Sequence, residues 1–314
     1  MNQCLQKCFV LVLVLVVAVT LVIYVYTDPK VHHGMLHEAN STVTSITATH
    51  FDSALPVIRG HEKLTNLSGF VSLLSPDKIL SKSYNDCAII SSSGHMLKSG
   101  VGSQIDKAGC VIRMNDALIK GFEKDVGCRT TVRVIAHSAV KNVNKYKSQL
   151  LSGCAKPDIC IVWGPVYSMR TDGKGYAYNL ARKLALEFKN IEFYMLTQEQ
   201  MNLTDKTYET ALGATRKETG SWLTTGWFTM VIAVNLCKSS KVYGMVQDDF
   251  CKNNPRSTIP YHYYEQPELK ECSEYNRMEA KKKDRHRYAF EKSIFKKWSS
   301  IYNITFSNPN WILS

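Results

Sequence analysis

The chain has 314 residues, 45% of them hydrophobic and 10% aromatic, and its formal net charge is +12 at pH 7. This composition excludes a disordered or fibrous protein, and the length suits one large domain with short additions. The positive charge indicates either a solvated basic surface or attraction to anionic ligands such as nucleotides, acidic glycans or phospholipid. A nucleic-acid partner is not expected, because the sequence contains no nucleic-acid-binding motif.

The N-terminus carries an uncharged apolar run at residues 9–26, FVLVLVLVVAVTLVIYVY, with only Thr20 as a polar break. At the helical rise of 1.5 Å per residue the run extends about 27 Å, enough for a thin bilayer core. A cleaved signal peptide is the alternative, but its apolar stretch is normally shorter and precedes a small-x-small cleavage pattern. We therefore expect a transmembrane signal-anchor, with residues 1–8 in the cytosol because Lys7 is basic.

The remaining sequence agrees with a lumenal location. Residues 27–84 are rich in Ser, Thr and His without sustained periodicity, which predicts a stem. Beyond Cys4 and Cys8, eight of the ten cysteines remain, and in an oxidising compartment they predict disulfides. Their spacing matches no zinc site. Glycosylation acceptors of the form N-x-S/T occur at Asn40, Asn66, Asn202 and Asn303.

From residue 85 onward, apolar runs alternate with amphipathic segments. Strands are predicted at residues 87–90, 131–136, 159–163, 191–196 and 241–246, and helices at 175–188, 225–236 and 288–298. This alternation predicts one α/β domain, residues 85–314, with a mostly parallel central sheet. The first strand ends in Ser91-Ser-Ser-Gly94. That turn has either a structural role or a role in presenting backbone N–H groups to a phosphate.

Four stretches resemble the motifs of the animal-type sialyltransferases, and they occur in the family order. The long motif is similar to residues 87–137, which include CAIISSSG, VIRMNDA and GFEKDVGCRTT. The short motif is similar to residues 224–246, and the third motif to HYYE at 262–265. The very short motif matches His286 and Glu291. The resemblance implies a single Rossmann-like nucleotide-sugar transferase domain, a variant of the GT-A type.

Within that family the sequences TGWFTM, PYHYYE and NPNWILS are most similar to α-2,6-sialyltransferases acting on N-acetylgalactosamine. The short subgroup, which prefers a sialylated acceptor, fits best. The resemblance implies a Golgi enzyme that transfers sialic acid from CMP-sialic acid, with inversion, to a sialylated glycoprotein or glycolipid. Ser92 and Thr224 depart from the family pattern, which has Asn and Ser there. Cys128, Cys154 and Cys160 lie outside the pattern.

The resemblance also implies roles for the two histidines. His286 would be the general base, since histidine titrates near the pH of the Golgi, and Glu291 would support its segment. The alternative for His286 is a surface histidine in the basic run KKKDRHR. His262 would donate a hydrogen bond to the departing phosphate, and the alternative is a core histidine among tyrosines.

Donor contacts are implied for four residues, with an ordinary helix N-cap as the alternative for the last two: Ser92, Asn115, Thr225 and Gly226. The family pattern implies a disulfide between Cys87 and Cys237. The pair Cys251 and Cys272, which flanks His262, is a possible second bridge.

Structural ion pairs are expected for Arg113 and Asp125, the polar residues of the long motif. The sequence contains no Asp-x-Asp, the motif with which many transferases that use a diphosphate leaving group hold Mn²⁺ or Mg²⁺. A monophosphate leaving group carries less charge, so we expect neither a metal ion nor another cofactor.

Two alternatives to an active transferase remain. One is a catalytically silent, lectin-like membrane glycoprotein that binds sialylated glycans, although retention of both histidines argues against it. The other is an adhesion or structural glycoprotein. It would explain the anchor, glycans and cysteines but not four ordered motifs.

Overall fold

The computed structural model describes residues 67–265 and 267–313. The predicted anchor at residues 9–26, most of the predicted stem, and the acceptor sites Asn40 and Asn66 lie outside the described residues. No helix among the described residues is long and apolar enough to cross a membrane.

The described residues contain a nine-stranded sheet in the order β2-β1-β7-β6-β5-β4-β3-β8-β9. In chain order the strands are β1 (Leu67–Ser72), β2 (Ile79–Leu80), β3 (Cys87–Ile90), β4 (Cys110–Met114), β5 (Val132–Ala136), β6 (Ile159–Trp163), β7 (Glu192–Leu196), β8 (Ser240–Tyr243) and β9 (Ile304–Ser307). Neighbouring strands from β7 across to β9 are parallel, whereas β1 pairs antiparallel with both β7 and β2.

The connections between strands are largely helical. Twelve α-helices lie within the described residues: α1 (Gly102–Asp106), α2 (Glu123–Val126), α3 (Val140–Lys145), α4 (Lys147–Leu150), α5 (Val166–Met169), α6 (Tyr176–Glu187), α7 (Gln198–Leu212), α8 (Arg216–Thr219), α9 (Thr225–Leu236), α10 (Phe250–Asn253), α11 (Glu271–Glu279) and α12 (Tyr288–Ile301). The predicted α/β architecture with a mostly parallel sheet is therefore confirmed. Strands β4, β5 and β6 are buried at every residue, as expected where helices cover both faces.

The sheet begins earlier in the chain than the sequence predicts. Strands β1 and β2 lie inside the segment assigned to the stem, whose predicted end at residue 84 is therefore wrong. Phe70 and Leu80 are buried, and Phe70 pairs with Leu196 of β7. Strand β1 gains its burial by pairing with a strand that is distant in sequence, so the local pattern does not predict it.

The order of the strands reverses direction at β3. The chain adds β4, β5, β6 and β7 on one side of β3 and then returns to add β8 and β9 on the other. In open α/β sheets such a switch point leaves a crevice at the carboxyl ends of the strands, where ligands bind. The loops that follow β3 and β8 meet at this point.

Three disulfides occur within the described residues. Cys87 at the start of β3 is joined to Cys237 at the end of α9, with a Cα–Cα distance of 6.0 Å. The other two join Cys128 to Cys154 and Cys251 to Cys272. Among the described residues, Cys110 and Cys160 are buried free cysteines.

Candidate active site

A cleft of about 290 Å³ opens at the switch point. Its walls are formed by the loops after β3, β4, β5, β6 and β8, together with parts of α9, α11 and α12. All of the residues predicted for donor binding and catalysis line it: Ser92, Asn115, Thr225, Gly226, His262, His286 and Glu291. The fold thus brings the four motifs together around one space.

The side-chain amide of Asn115 is held between two strands and a helix. Its Oδ1 accepts a hydrogen bond from the Ala136 amide at 2.9 Å, and its Nδ2 donates to Thr225 Oγ1 at 3.2 Å. Its backbone has a left-handed φ of 48°, and its carbonyl accepts from buried Arg133 at 2.8 Å. Asn115 is therefore fixed in orientation, and the second hydrogen of its amide is available to a ligand.

The N-terminus of α9 faces the cleft. Thr224 is the N-cap, and its Oγ1 accepts from the Trp227 amide at 3.0 Å. The first turn of a helix leaves N–H groups without intrahelical partners and carries the positive end of the helix dipole. Thr225 and Gly226, which occupy this turn, are thus suited to an anionic group such as a phosphate. Ser92 lies across the cleft, and its carbonyl accepts from the Tyr263 amide at 2.9 Å.

Glu291 connects α12 to the start of α9. Its Oε1 accepts from the Thr224 amide at 3.0 Å, and its Oε2 accepts from the Thr224 hydroxyl. Only 3% of the Glu291 surface is exposed, and this burial raises its pKa to about 8 despite the two hydrogen bonds. Glu291 therefore holds the N-cap residue of α9, the helix whose N-terminus faces the cleft, by two hydrogen bonds.

The ring of His286 is oriented by a main-chain carbonyl. Its Nδ1 lies 2.6 Å from the carbonyl oxygen of Trp222, an atom that can only accept, so Nδ1 carries a hydrogen. Main-chain hydrogen bonds join the two segments on either side, from Trp222 N to the Arg285 carbonyl and from Arg285 N to the Gly220 carbonyl. Burial lowers the pKa of His286, which favours the neutral ring with a free electron pair on Nε2.

His262 lies in a stack of aromatic rings. Its ring centroid is 4.2 Å from that of Tyr261 and 5.2 Å from that of Tyr264, with nearly parallel planes. Its Nδ1 is 2.9 Å from Oε2 of Glu265, and the interaction holds the pKa of Glu265 below its usual value. The alternative of a core histidine does not hold, because His262 lines the cleft and is partly exposed.

Other residues that line the cleft carried no role in the sequence interpretation. They include His137 after β5, Trp163 at the end of β6, Trp222 before α9, and Lys292 on α12. Lys292 is buried and donates to the Tyr275 hydroxyl at 3.0 Å. Trp222, two residues before the short motif, and Lys292, next to Glu291, could have been found by proximity to motifs. The other two lie at the carboxyl ends of β5 and β6, which are brought together only by the sheet.

The carboxylates in the cleft already have partners. Oε2 of Glu271 lies 3.3 Å from His95 Nε2, its Oε1 accepts from the Tyr275 hydroxyl at 3.0 Å, and Glu291 binds Thr224. In the part of the chain that the structure describes, no three His, Cys, Asp or Glu side chains are grouped as metal ligands. Metal independence remains a prediction.

The ion pairs expected for Arg113 and Asp125 are not formed. Arg113 is fully buried and donates to the carbonyls of Val126 at 2.7 Å and Arg129 at 2.9 Å. Asp125 accepts from the amides of Lys98 and Gly100, both at 2.8 Å. Main-chain amides thus compensate the charge of Asp125, whereas Arg113 donates through Nε and Nη2 and its buried Nη1 has no partner among the described residues.

The two acceptor asparagines within the described residues are both exposed. Asn202 lies on α7, and Asn303 precedes β9 with a left-handed φ of 52°. Attachment of a glycan at either residue would therefore meet open solvent, and its occurrence remains a prediction.

Comparison with known proteins gives the family. The model of glycosyltransferase family 29 (sialyltransferase) matches residues 35–301. The alpha-N-acetylgalactosaminide alpha-2,6-sialyltransferase 3 of Mus musculus is 41% identical over 230 residues, which cover 73% of this chain and 75% of the relative.

A second relative is the alpha-N-acetyl-neuraminyl-2,3-beta-galactosyl-1,3-N-acetyl-galactosaminide alpha-2,6-sialyltransferase of Homo sapiens. It is 36% identical over 246 residues, 78% of this chain and 81% of the relative. A crystal structure of a mammalian sialyltransferase is similar over 83% of this chain and 84% of that chain, with 18% identity and a TM-score of 0.47. With the family model matching most of its length, this chain belongs to glycosyltransferase family 29, the sialyltransferases.

Proposed function

We propose that this enzyme transfers sialic acid from CMP-sialic acid to the 6-hydroxyl of N-acetylgalactosamine, with inversion and without a metal ion. The acceptors would be sialylated O-glycans or gangliosides. Family membership supports the donor, and the names of both relatives, which specify α-2,6 transfer to N-acetylgalactosaminides, support the linkage. The neuraminyl-galactosyl acceptor in the name of the human relative supports a sialylated acceptor. We also propose a Golgi location, with residues 9–26 as the membrane anchor.

The observation that carries the proposal is the contact between His286 Nδ1 and the Trp222 carbonyl, 2.6 Å apart at the wall of the cleft. This contact fixes the tautomer whose Nε2 can remove a proton. The same cleft contains the N-terminus of α9 and His262, which suit a departing phosphate. The proposed base, His286, and the proposed phosphate site therefore lie in the same cleft.

In the proposed reaction the 6-oxygen of the acceptor attacks the anomeric carbon of sialic acid on the face opposite the phosphate. The bond from that carbon to the phosphate oxygen of CMP breaks, and its electron pair remains on the phosphate. The acceptor proton passes to Nε2 of His286. His262 would donate a hydrogen bond to the phosphate, with Glu265 beside its Nδ1. N–H groups at Thr225 and Gly226 would stabilise the same charge.

The product of the full-length enzyme with defined acceptors tests this proposal. The detergent-solubilised chain would be incubated with CMP-sialic acid and aryl glycosides of N-acetylgalactosamine, of its β1,3-galactosyl derivative, and of the sialylated trisaccharide. We expect a new sialic acid on the 6-hydroxyl of N-acetylgalactosamine, identified by NMR. A new linkage at any other hydroxyl would contradict the proposed linkage. Glycan binding without consumption of CMP-sialic acid would favour the lectin-like alternative.

A further inference from the structure

A second groove, of about 210 Å³, lies next to the cleft. The two spaces share the walls formed by Trp163, Trp222 and Leu223. Trp222 is also the residue whose carbonyl orients the general base His286. An acceptor whose hydroxyl reaches His286 therefore has this groove as a space for its neighbouring sugar.

The groove combines aromatic surfaces with a charged pair. The guanidinium of Arg216 lies over the Trp222 ring, 5.3 Å from its centroid, and its Nη1 binds Oδ2 of Asp205. Trp163 is stacked on Phe228 with centroids 3.7 Å apart. Aromatic faces beside a few well-placed polar groups are typical of ligand sites, and the apolar face of a pyranose ring packs well on such surfaces.

Two polar atoms of the groove residues have no hydrogen-bond partner among the described residues. They are Oδ1 of Asp205 and Nε1 of Trp163, both almost fully enclosed. Buried polar groups are normally hydrogen-bonded, and these two atoms belong to residues that line one groove, so an unpartnered acceptor and an unpartnered donor there favour a ligand with hydroxyl groups.

The charges of the groove residues favour an uncharged ligand with hydroxyl groups over an acidic one. Arg216 and Asp205 neutralise each other, since they form an ion pair. Arg216 retains further N–H donors, because only its Nη1 and Nε are engaged, by Asp205 and by the Ser221 carbonyl. The pair therefore offers a donor and an acceptor side by side, which suits neighbouring hydroxyls. A carboxylate at this point would lie against Oδ1 of Asp205 and be repelled.

We propose that the groove lined by Trp163, Trp222, Arg216 and Asp205 binds a neutral hexopyranose of the acceptor, next to the sugar that receives sialic acid. Arg216 and Asp205 are then specificity-determining residues that form hydrogen bonds with the hydroxyls of that hexose. This inference rests on the proposed function, because it requires that the acceptor hydroxyl be delivered to His286.

The test compares Arg216→Gln and Asp205→Asn with the wild-type enzyme on the three aryl glycosides used above. Lys217→Gln is the matched control, because Lys217 is an exposed neighbour on α8 that lines neither space. The measured quantity is kcat/KM for each acceptor, together with KM for CMP-sialic acid. Asp205→Asn keeps the shape of the side chain, so it remains informative if Arg216→Gln folds poorly.

We expect both variants to lower kcat/KM for the disaccharide and trisaccharide by about tenfold to a hundredfold, the usual range for hydrogen bonds to charged groups. kcat/KM for the monosaccharide should fall by a smaller factor. The ratio of kcat/KM for the disaccharide to kcat/KM for the monosaccharide should therefore decrease. Lys217→Gln should keep that preference, and KM for CMP-sialic acid should not rise in any variant.

Three results would overturn the inference. Equal losses on all three acceptors would show a structural role. A loss confined to the trisaccharide would indicate that the groove binds the acidic sugar instead. If the wild-type enzyme transferred sialic acid to none of the acceptors, the proposed function would fail, and this inference with it.

Discussion

Each ring nitrogen of His286 faces a different environment, and this difference determines its chemistry. Nδ1 faces the Trp222 carbonyl, so it carries the hydrogen, and Nε2 remains free to accept one. Burial works in the same direction, since it disfavours the charged ring and lowers the pKa of His286. The alternative of a surface histidine is wrong, because the ring is partly buried and lines the cleft.

The pH dependence of the rate follows from this environment. The base must be neutral to accept a proton, so activity should fall as pH decreases through the pKa of His286. Because that pKa lies below the ordinary 6.5 in the free enzyme, the acid limb of kcat/KM should have its midpoint below pH 6.5. A profile of kcat/KM from pH 4.5 to 8 would measure it. A midpoint above pH 6.5 would contradict the assigned environment of His286.

Helix α12 positions the N-terminus of α9 through one carboxylate. Glu291 accepts both the amide and the hydroxyl hydrogen of Thr224, the N-cap of α9. The very short motif and the short motif are therefore linked through a buried hydrogen-bonded group. This link explains in physical terms why the Glu and the Thr accompany each other in one site.

Removal of this carboxylate should affect both stability and donor binding. Glu291→Ala leaves two donors of Thr224 without an acceptor, and each unsatisfied buried group costs about 1–3 kcal/mol. We expect the free energy of unfolding to fall by about 2–6 kcal/mol in urea denaturation, and KM for CMP-sialic acid to rise. Glu291→Gln should lose less, since its amide oxygen can still accept one hydrogen bond.

Exposed Glu268 is the matched control for this experiment. Glu268→Ala should change stability by no more than about 0.5 kcal/mol, the usual range for a surface substitution. Equal effects of Glu291→Ala and Glu268→Ala would refute the linking role of Glu291.

Elements with a continuous apolar pattern could be predicted, and those without one could not. Strand β6, ICIVW, and helix α9 have their predicted bounds because the strand is apolar throughout and the helix is predominantly apolar. Helix α7 escaped prediction because its buried face includes Thr204 and Thr207 beside Met201 and Tyr208, so it has no apolar stripe. Strand β4 was missed because buried Arg113 interrupts its apolar run.

The site residues that belong to the sequence motifs could be predicted, and those outside the motifs could not. His262 and His286 were found by motif, whereas the pair Arg216 and Asp205 was not. Asp205 lies on α7 and Arg216 on α8, and the contacts of Arg216 with Asp205 and with Trp222 depend on how these helices pack. Sequence periodicity contains no information on such packing.

At the scale of the whole molecule, the disulfide between Cys87 and Cys237 closes the largest covalent loop. It spans 150 residues and joins β3 to α9, which carry two walls of the cleft. In the chain-entropy model a loop of this length contributes roughly 4–5 kcal/mol. Cys87→Ser should therefore misfold and remain in the endoplasmic reticulum, whereas Cys4→Ser should not. Non-reducing peptide mapping that found Cys87 free or paired elsewhere would contradict this.

The proposed chemistry also predicts that the enzyme needs no metal. In the proposed reaction His262 and the N-terminus of α9 would provide donors for a monophosphate leaving group, which carries less charge than a diphosphate. Turnover in EDTA should therefore equal turnover in Mn²⁺. Loss of most activity in EDTA, restored by added metal, would disprove metal independence.

The central claim is that His286 removes the acceptor proton, and paired measurement of kcat and of Kd for CMP tests it most directly. His286→Ala removes the base but leaves the donor contacts at Asn115, Thr225 and His262. We predict a fall in kcat of about 10²–10⁴-fold, the usual contribution of general-base catalysis, with little change in Kd for CMP. His262→Ala should instead weaken CMP binding as well as slow turnover. If His286→Ala retained near-normal kcat, or lost CMP binding together with its fold, the assignment of His286 as the base would be wrong.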